Sequence, residues 1–211
     1  MGVLTAPTRR SGLAAVMLGL LIGTAAPGAP AASAAPNSLG LRASYDVQAK
    51  LDYGRGRLSV TSTATVANPT DASVGRLLFN LLPARIGRMS LGAVSVAGEP
   101  AATRLSGQSI VVILPTPLAA GARTTVTIAY SARFATDAKD KNWLFAKING
   151  IVTAYRWIPW LSRATAFARP NFGEPFVTGT SRRVKVSIRS DRKLTFATTG
   201  RRAAVNGLSQ R

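Results

Sequence analysis

Apolar and polar residues alternate with a period of two over most of the chain, and this pattern constrains the fold more than any other sequence feature. Residues 45–53 alternate Tyr, Val, Ala, Leu and Tyr with Asp, Gln, Lys and Asp. Turn residues follow at 54–56, and a second alternating run spans 58–66. Because successive side chains of a strand point to opposite faces, the two runs predict a β-hairpin of half-buried strands.

Short runs of the same kind continue along the chain, separated by Gly and Pro, and no long stretch has helical periodicity. The predicted strands after the hairpin are 76–82, 89–96, 109–114, 124–134, 148–158, 183–189 and 194–198. Short strands with this punctuation are typical of all-β folds. The sequence therefore predicts an all-β, antiparallel β-sandwich with two sheets around one core.

The composition excludes several kinds of chemistry. The chain of 211 residues contains 0 His and 0 Cys. Without imidazole or thiolate it cannot form the usual protein zinc sites, Cys or Ser–His nucleophiles, or disulfides. Lys and Arg number 27 against 8 Asp and Glu, which gives a formal net charge of +19. Such a charge favours contact with anionic surfaces or polymers.

The first 34 residues have the three parts of a secretory signal. Two arginines at 9–10 precede an apolar run over 13–22, and Ala-Ser-Ala stands at 32–34. The apolar run has about half of the roughly 20 residues that span a bilayer, which favours a cleaved signal peptide over an anchor. We therefore predict a secreted, extracytoplasmic protein with no transmembrane anchor after cleavage. Gly12 stands where twin-arginine signals usually carry a bulky apolar residue, so the general secretory and twin-arginine routes both stay open.

The rest of the chain divides into three predicted parts. A linker over 35–42 follows the signal peptide of 1–34, and one β-sandwich domain spans 43–200. Residues 201–211 contain Asn-Gly, which is a strong turn signal between two strands. We interpret this last segment as the start of a further hairpin that is interrupted.

Several stretches share the features of one known β-domain. Residues 118–132 combine a Leu-x-x-Gly turn with an alternating strand that ends in Tyr, and 45–52 form a matching first strand. Residues 175–200 contain a strand followed by small residues and Gly, after an aromatic and proline cluster at 157–160. Over roughly 43–200, this pattern resembles the N-terminal β-domain of the alanyl aminopeptidase (aminopeptidase N) family of zinc metallopeptidases.

The resemblance implies a catalytic domain that this chain lacks. Complete family members carry a helical domain with an H-E-x-x-H motif and a further Glu as zinc ligands and general base. A chain without His cannot form that site. We therefore expect no catalytic, cofactor-binding or metal-binding residue and no activity from this chain alone, with zinc implied only for the missing domain. Some members contribute a substrate-facing Gln or Glu from the β-domain; Glu174 is the only acid nearby, and we assign it no role.

Two clusters are candidate binding surfaces. The aromatic cluster consists of Tyr155, Trp157 and Trp160, in a region that holds all three Trp of the chain. On a strand, Tyr155 and Trp157 would share a face. The cluster is either a plug in the core or between domains, or a stacking platform for a sugar or peptide.

The basic stripe consists of Arg183, Lys185 and Arg189, which have the same parity on a predicted strand. Residues of the other parity are Val and Ile, so the stripe would lie over a buried face. The stripe is either a solvated surface or a binding site for cell-wall polyanions or anionic lipids. Export argues against a role in binding nucleic acid.

Two functional hypotheses follow. In the first, the chain is the exported N-terminal domain of an aminopeptidase-like zinc metallopeptidase, and it supports a catalytic domain that is missing or separate and closes one wall of the substrate cleft. In the second, it is a non-catalytic binding module for anionic cell-surface polymers or glycans. The second hypothesis uses both the aromatic cluster and the basic stripe.

Overall fold

A computed structural model describes residues 40–86, 88–162, 181 and 183–201, and the backbone of 205–206 and 209–210. The predicted signal peptide, most of the 35–42 linker and Glu174 lie outside the described residues. The strands are β1 (Arg42–Asp52), β2 (Arg57–Ala67), β3 (Val74–Asn80), β4 (Met89–Val96), β5 (Glu99–Pro100), β6 (Thr103–Ser106), β7 (Ser109–Leu118), β8 (Arg123–Arg133), β9 (Phe145–Ile148), β10 (Ile151–Ala154), β11 (Trp160–Leu161), β12 (Val184–Ser190), β13 (Val205–Asn206) and β14 (Ser209–Gln210). A short helix α1 (Leu82–Arg85) and a 3-10 turn (Asn142–Leu144) complete the regular structure of this part.

The larger sheet is built on the predicted hairpin. Strands β1 and β2 pair antiparallel from Arg42 opposite Ala67 to Asp52 opposite Arg57, and β2 continues into β8 in the same way. The full strand order is β13-β14-β12-β1-β2-β8-β4-β5. Buried and exposed side chains alternate along these strands, as the sequence pattern predicts: Val47 is fully buried, whereas Gln48 and Lys50 beside it are exposed.

Strand β12 pairs with β1 in the parallel direction, with Val184 beside Tyr45 and Ser190 beside Leu51. The prediction of purely antiparallel sheets did not include this pair. A parallel partner needs a long crossover, and here β12 follows β1 by more than a hundred residues of chain. The period-two pattern of either strand carries no information about such a distant neighbour.

A smaller sheet of order β11-β3-β7-β6 covers the large one. The core lies between the two sheets and is closed by fully buried side chains from both, among them Val47, Leu77, Phe79, Ile110 and Val126. Most inward strand positions contribute an apolar side chain, as the alternation predicts, and the buried Ser62 of β2 is an exception. The structure thus confirms the all-β sandwich.

Two predicted strands differ in the structure. The run 148–158 is divided, because Asn149 and Gly150 both have positive φ and turn β9 back on β10. The run 194–198 forms no strand. Its alternation has another cause: Leu194 packs against the core, and the odd positions beside it are exposed. An extended segment can satisfy a burial pattern without joining a ladder.

Candidate functional site

Two residues of the aromatic cluster, Tyr155 and Trp157, lie beyond the end of β10 and on no strand, whereas Trp160 begins β11. Arg156 has a φ of 45°, in the left-handed region that is strained for residues other than glycine. This turn separates its neighbours: Tyr155 is 40% exposed, whereas Trp157 is half-buried. The side-by-side arrangement that a strand would give Tyr155 and Trp157 is therefore absent.

Trp160, on β11 of the smaller sheet, packs against the inner face of the large sheet. Its ring meets that of Tyr45 edge to face, with centroids 4.7 Å apart and planes at 74°. The Tyr45 hydroxyl accepts a hydrogen bond of 2.9 Å from the backbone N–H of Leu161, and burial raises the pKa of Tyr45 to about 12. An aromatic pair of this geometry stabilises a fold by about 0.5–1.5 kcal/mol beyond the contribution of the area that it buries.

Trp157 is held through its backbone. Its carbonyl accepts a hydrogen bond from the hydroxyl of Tyr130, which is buried in the core between the sheets. Burial raises the pKa of Tyr130, so that this hydroxyl keeps its proton and remains a donor. The core of the sandwich thus fixes the backbone at Trp157.

These aromatic residues line an open groove on the inner side of β12, which we call the inner groove. Its volume is about 810 Å³. The lining residues are Ala154, Tyr155, Arg156, Trp157, Ile158, Trp160, Ser181, Val184, Ala197, Thr198 and Thr199. A second cavity of about 470 Å³ adjoins it and shares Ala154, Trp157, Ala197 and Thr198. Its other walls include Leu51, Leu58, Phe134 and Ile151, so the two spaces form a continuous apolar recess on either side of Trp157.

The described residues cover the inward side of β12 only in part. Val184 is 40% exposed, and Val186 and Ile188 are half-buried. The corresponding inward residues of the neighbouring β1, Val47 and Ala49, are buried. The prediction that the basic stripe lies over a buried face therefore holds only in part.

The basic stripe lies on the outer side of the same strand. Lys185 makes a 3.0 Å ion pair with Asp46, and this hydrogen bond is the main cause that lowers the pKa of the Asp46 carboxyl. Arg189 lies beside Lys50, and Arg183 is exposed. The aromatic cluster and the basic stripe thus occupy opposite faces of β12 and do not form one surface.

The structure also shows an anchor that sequence analysis missed. The Asp191 carboxylate accepts hydrogen bonds from the backbone N–H of Tyr53 at 2.6 Å and of Gly54 at 3.1 Å, and these two donors lower its pKa. The Lys147 ammonium lies 4.0 Å from the centre of the Tyr53 ring, whose hydroxyl donates to the Gly150 carbonyl. This anchor joins the ends of three distant elements beside the recess. No sequence signal could reveal it, because Asp191 and Tyr53 lie 138 residues apart.

Within the described part of the chain, no three acidic residues come close enough together to hold a metal ion. No helix of that part is both long and apolar enough to cross a membrane.

No known protein-family profile matches the sequence. No curated protein matches it either. Solved structures do match the fold. An M1 zinc metallopeptidase from Deinococcus radiodurans superposes with a TM-score of 0.53 at 19% identity, over 82% of this chain and 38% of that chain.

Two other solved structures match with lower TM-scores. A variant of the Deinococcus radiodurans enzyme bound to a Tyr-Ser-Ala substrate has a TM-score of 0.49 at 18% identity, over 82% of this chain and 40% of that one. Aminopeptidase A of Legionella pneumophila in complex with aspartic acid has a TM-score of 0.35 at 15% identity, over 44% and 10% of the two chains. The superposition with a TM-score of 0.53 shows a shared fold and confirms the predicted resemblance at that level. The chain spans about two fifths of the enzyme that it matches.

Proposed function

We propose that this chain is the exported N-terminal β-domain of an aminopeptidase-like zinc metallopeptidase, that it supports a catalytic domain, and that it closes one wall of the substrate cleft. The shared fold supports the proposal, because it covers 82% of this chain but 38% of the M1 enzyme. The larger part of that enzyme has no counterpart here. The catalytic residues of the proposed assembly belong to that other part.

The observation that carries the proposal is the apolar side of β12 beside the aromatic cluster, which the described residues leave partly uncovered. A sandwich that functioned alone would bury these side chains, since each Val, Ile or Leu taken out of water contributes about 1.5–3 kcal/mol. Instead Val184 and Tyr155 are each 40% exposed, and Ile151 is 69% exposed. Contiguous exposed apolar surface of this kind marks an interaction site.

The aromatic cluster has the character expected of a wall between domains. Trp157 and Trp160 are half-buried; Tyr130 holds the backbone carbonyl of Trp157, and the ring of Tyr45 packs against that of Trp160. Rigid aromatic side chains supply large contact areas at low entropic cost, and they are enriched in interfaces. In the proposed assembly, the buried edges hold the indoles still while their free edges meet the catalytic domain or the bound peptide.

Zinc has no place in this chain. The family binds its metal through two His and a Glu, and this sequence has 0 His. The residues present do not fit the group, so any zinc of the assembly belongs to the catalytic partner. The chain contributes shape and apolar contact, and its own residues carry out no chemical step.

The coding sequence beyond codon 211 tests the proposal directly. Translation in all frames should show an H-E-x-x-H motif within a helical region. Its absence, with no separate catalytic chain that binds this domain, would refute the proposed assembly.

Co-purification with the encoded catalytic part tests the interface itself. Val184→Glu places a charge in the inner groove and should reduce co-purification severalfold. Ile113→Glu is the matched control, because Ile113 is 46% exposed on the smaller sheet, away from β12. Equal losses from both variants would contradict the placement of the interface.

A further inference from the structure

The outer face of the large sheet carries a groove that the proposed interface does not use. This outer groove crosses β12, β1, β2, β8 and β4 and has a volume of about 810 Å³. Its floor consists of small side chains: Ser59, Thr61, Ser90, Gly92, Ala129 and Ser131. Five strands spaced about 4.8 Å apart give the groove a length of roughly 19 Å.

Cross-strand registers line up cations and hydroxyls along this groove. Arg189 of β12 lies beside Lys50 of β1, which is opposite Ser59 of β2. Ser59 is opposite Ser131 of β8, which is opposite Ser90 of β4. One row across the sheet therefore leads from two positive charges to three hydroxyl groups.

The two cations are neighbours with no acid between them. Like charges at paired strand positions are destabilising. Within the described part of the chain, neither Lys50 nor Arg189 forms an ion pair; the nearby pairs are Arg55 with Asp52 and Lys185 with Asp46. The pairing of these two cations does not stabilise the fold, but both cations would attract an anion bound between them.

The acid at the groove is directed to the protein's own backbone. Asp191 lines the groove, but its two oxygens accept the N–H groups of Tyr53 and Gly54. A further cation reaches the floor, because Arg57 donates its Nη2–H to the Ser131 hydroxyl at 2.8 Å. The field in the outer groove is therefore positive, and its hydroxyls remain able to accept or donate one more hydrogen bond.

Among the described residues, no exposed aromatic ring lines the outer groove. Tyr130 is the one aromatic residue of the described lining, and its side chain is buried on the inner side of the sheet. Sites for single-stranded nucleic acid combine positive charge with aromatic stacking platforms. A floor of Ser, Thr, Ala and Gly instead suits a ligand that presents hydroxyls and negative charges without planar bases.

We infer that the outer groove binds an anionic polysaccharide, with Lys50 and Arg189 on its charged groups and Ser59, Ser131 and Ser90 on its sugar hydroxyls. This site is independent of the proposed interface, because it lies on the opposite face of the sheet. It also differs from a surface formed by the aromatic cluster and the basic stripe together, since of those residues only Arg189 lines it.

Fluorescence anisotropy with the full chain and a labelled oligogalacturonate tests the inference. We expect binding at low salt, weakened about tenfold or more in the double variant Lys50→Gln and Arg189→Gln, which loses two charge-assisted contacts. The slope of log affinity against log salt should fall by roughly 1 to 2. Arg76→Gln with Arg104→Gln is the matched control, since these two exposed cations lie on the smaller sheet and their loss changes net charge equally.

A second pair of variants separates the groove from the net charge. Ser59→Glu adds a carboxylate to the floor and should abolish binding, whereas Thr65→Glu adds one to the same face of β2 outside the groove and should not. Circular dichroism checks that every variant is folded. Equal effects in groove and control variants, or no binding at low salt, would overturn the inference. Tighter binding of an oligothymidylate of equal charge would overturn the assignment to a polysaccharide.

Discussion

Asn68 offers the sharpest test of how the two sheets are joined. It is 1% exposed and follows β2, and its Nδ2 donates to the carbonyls of Ala72, Leu118 and Ala119 at 2.8, 3.0 and 3.1 Å. Its Oδ1 accepts from the N–H and the hydroxyl of Thr70. One amide therefore ties the end of β2 to the loops that precede β3 and follow β7.

The substitution Asn68→Ala removes all five of these contacts at a buried position, and the three made by Nδ2 share its two N–H groups. A typical hydrogen bond contributes about 0.5–1.5 kcal/mol net, and a buried group left unpaired costs about 1–3 kcal/mol. Several of the carbonyls that lose their donor are only partly buried and can bind water instead. We therefore expect the free energy of unfolding to fall by about 3 kcal/mol. For a domain of this size, that loss lowers Tm by about 6–12 °C.

Urea unfolding followed by tryptophan fluorescence measures the change, with equal m-values showing that the unfolded state is the same. Thr70→Val removes the one hydroxyl bond to Asn68 and should cost about 1 kcal/mol. Asn68→Asp keeps the acceptor for Thr70 but loses the three donations, and should cost at least as much as Asn68→Ala. A decrease in the free energy of unfolding of less than about 1 kcal/mol for Asn68→Ala would refute the prediction, because it would show that the amide does not join the two sheets.

Three further predictions rest on single side chains. The pKa of Asp191 is lowered in the folded state, so its contribution to stability is present above the ordinary pKa of an Asp and is lost as the pH falls through its pKa in the folded protein. In urea titrations at a series of acidic pH values, Asp191→Asn should therefore make the free energy of unfolding depend less steeply on pH. For Tyr45 the pKa is raised, so its contribution to stability is full below pH 10, the pKa of a free Tyr, and is lost as the pH rises from there to about 12. Absorbance at 295 nm should show one tyrosine that ionises only near pH 12. Tyr130→Phe removes the hydroxyl bond to the Trp157 carbonyl and should cost about 1–2 kcal/mol, with a shift in tryptophan emission; unchanged emission would contradict the role given to Tyr130 in positioning Trp157.

Local patterns were enough to predict the elements that depend on near neighbours. The hairpin of β1 and β2 has its turn residues and both alternating runs within 45–66, and the structure confirms it. The sandwich follows because each strand has one apolar face that must meet another such face. The absence of His likewise excluded a zinc site of the family type without any coordinates.

The arrangement of the candidate surfaces needed the tertiary structure. The residues of the aromatic cluster and the basic stripe all lie within 155–189, and one functional hypothesis used both, yet β12 places them on opposite sides of a sheet. The outer groove is built from five strands whose order follows from pairings across the whole chain. Lys50 and Arg189 become neighbours only through the parallel pairing of β12 with β1.

The sequence alone therefore determined which faces of the strands are apolar, because side-chain alternation is a property of each strand by itself. The tertiary structure decided which strands are neighbours and what covers each face. Those choices depend on contacts such as Asp191 with Tyr53 and Trp160 with Tyr45, whose partners are more than a hundred residues apart. Their energies are realised only when the chain has folded, and no local pattern records them in advance.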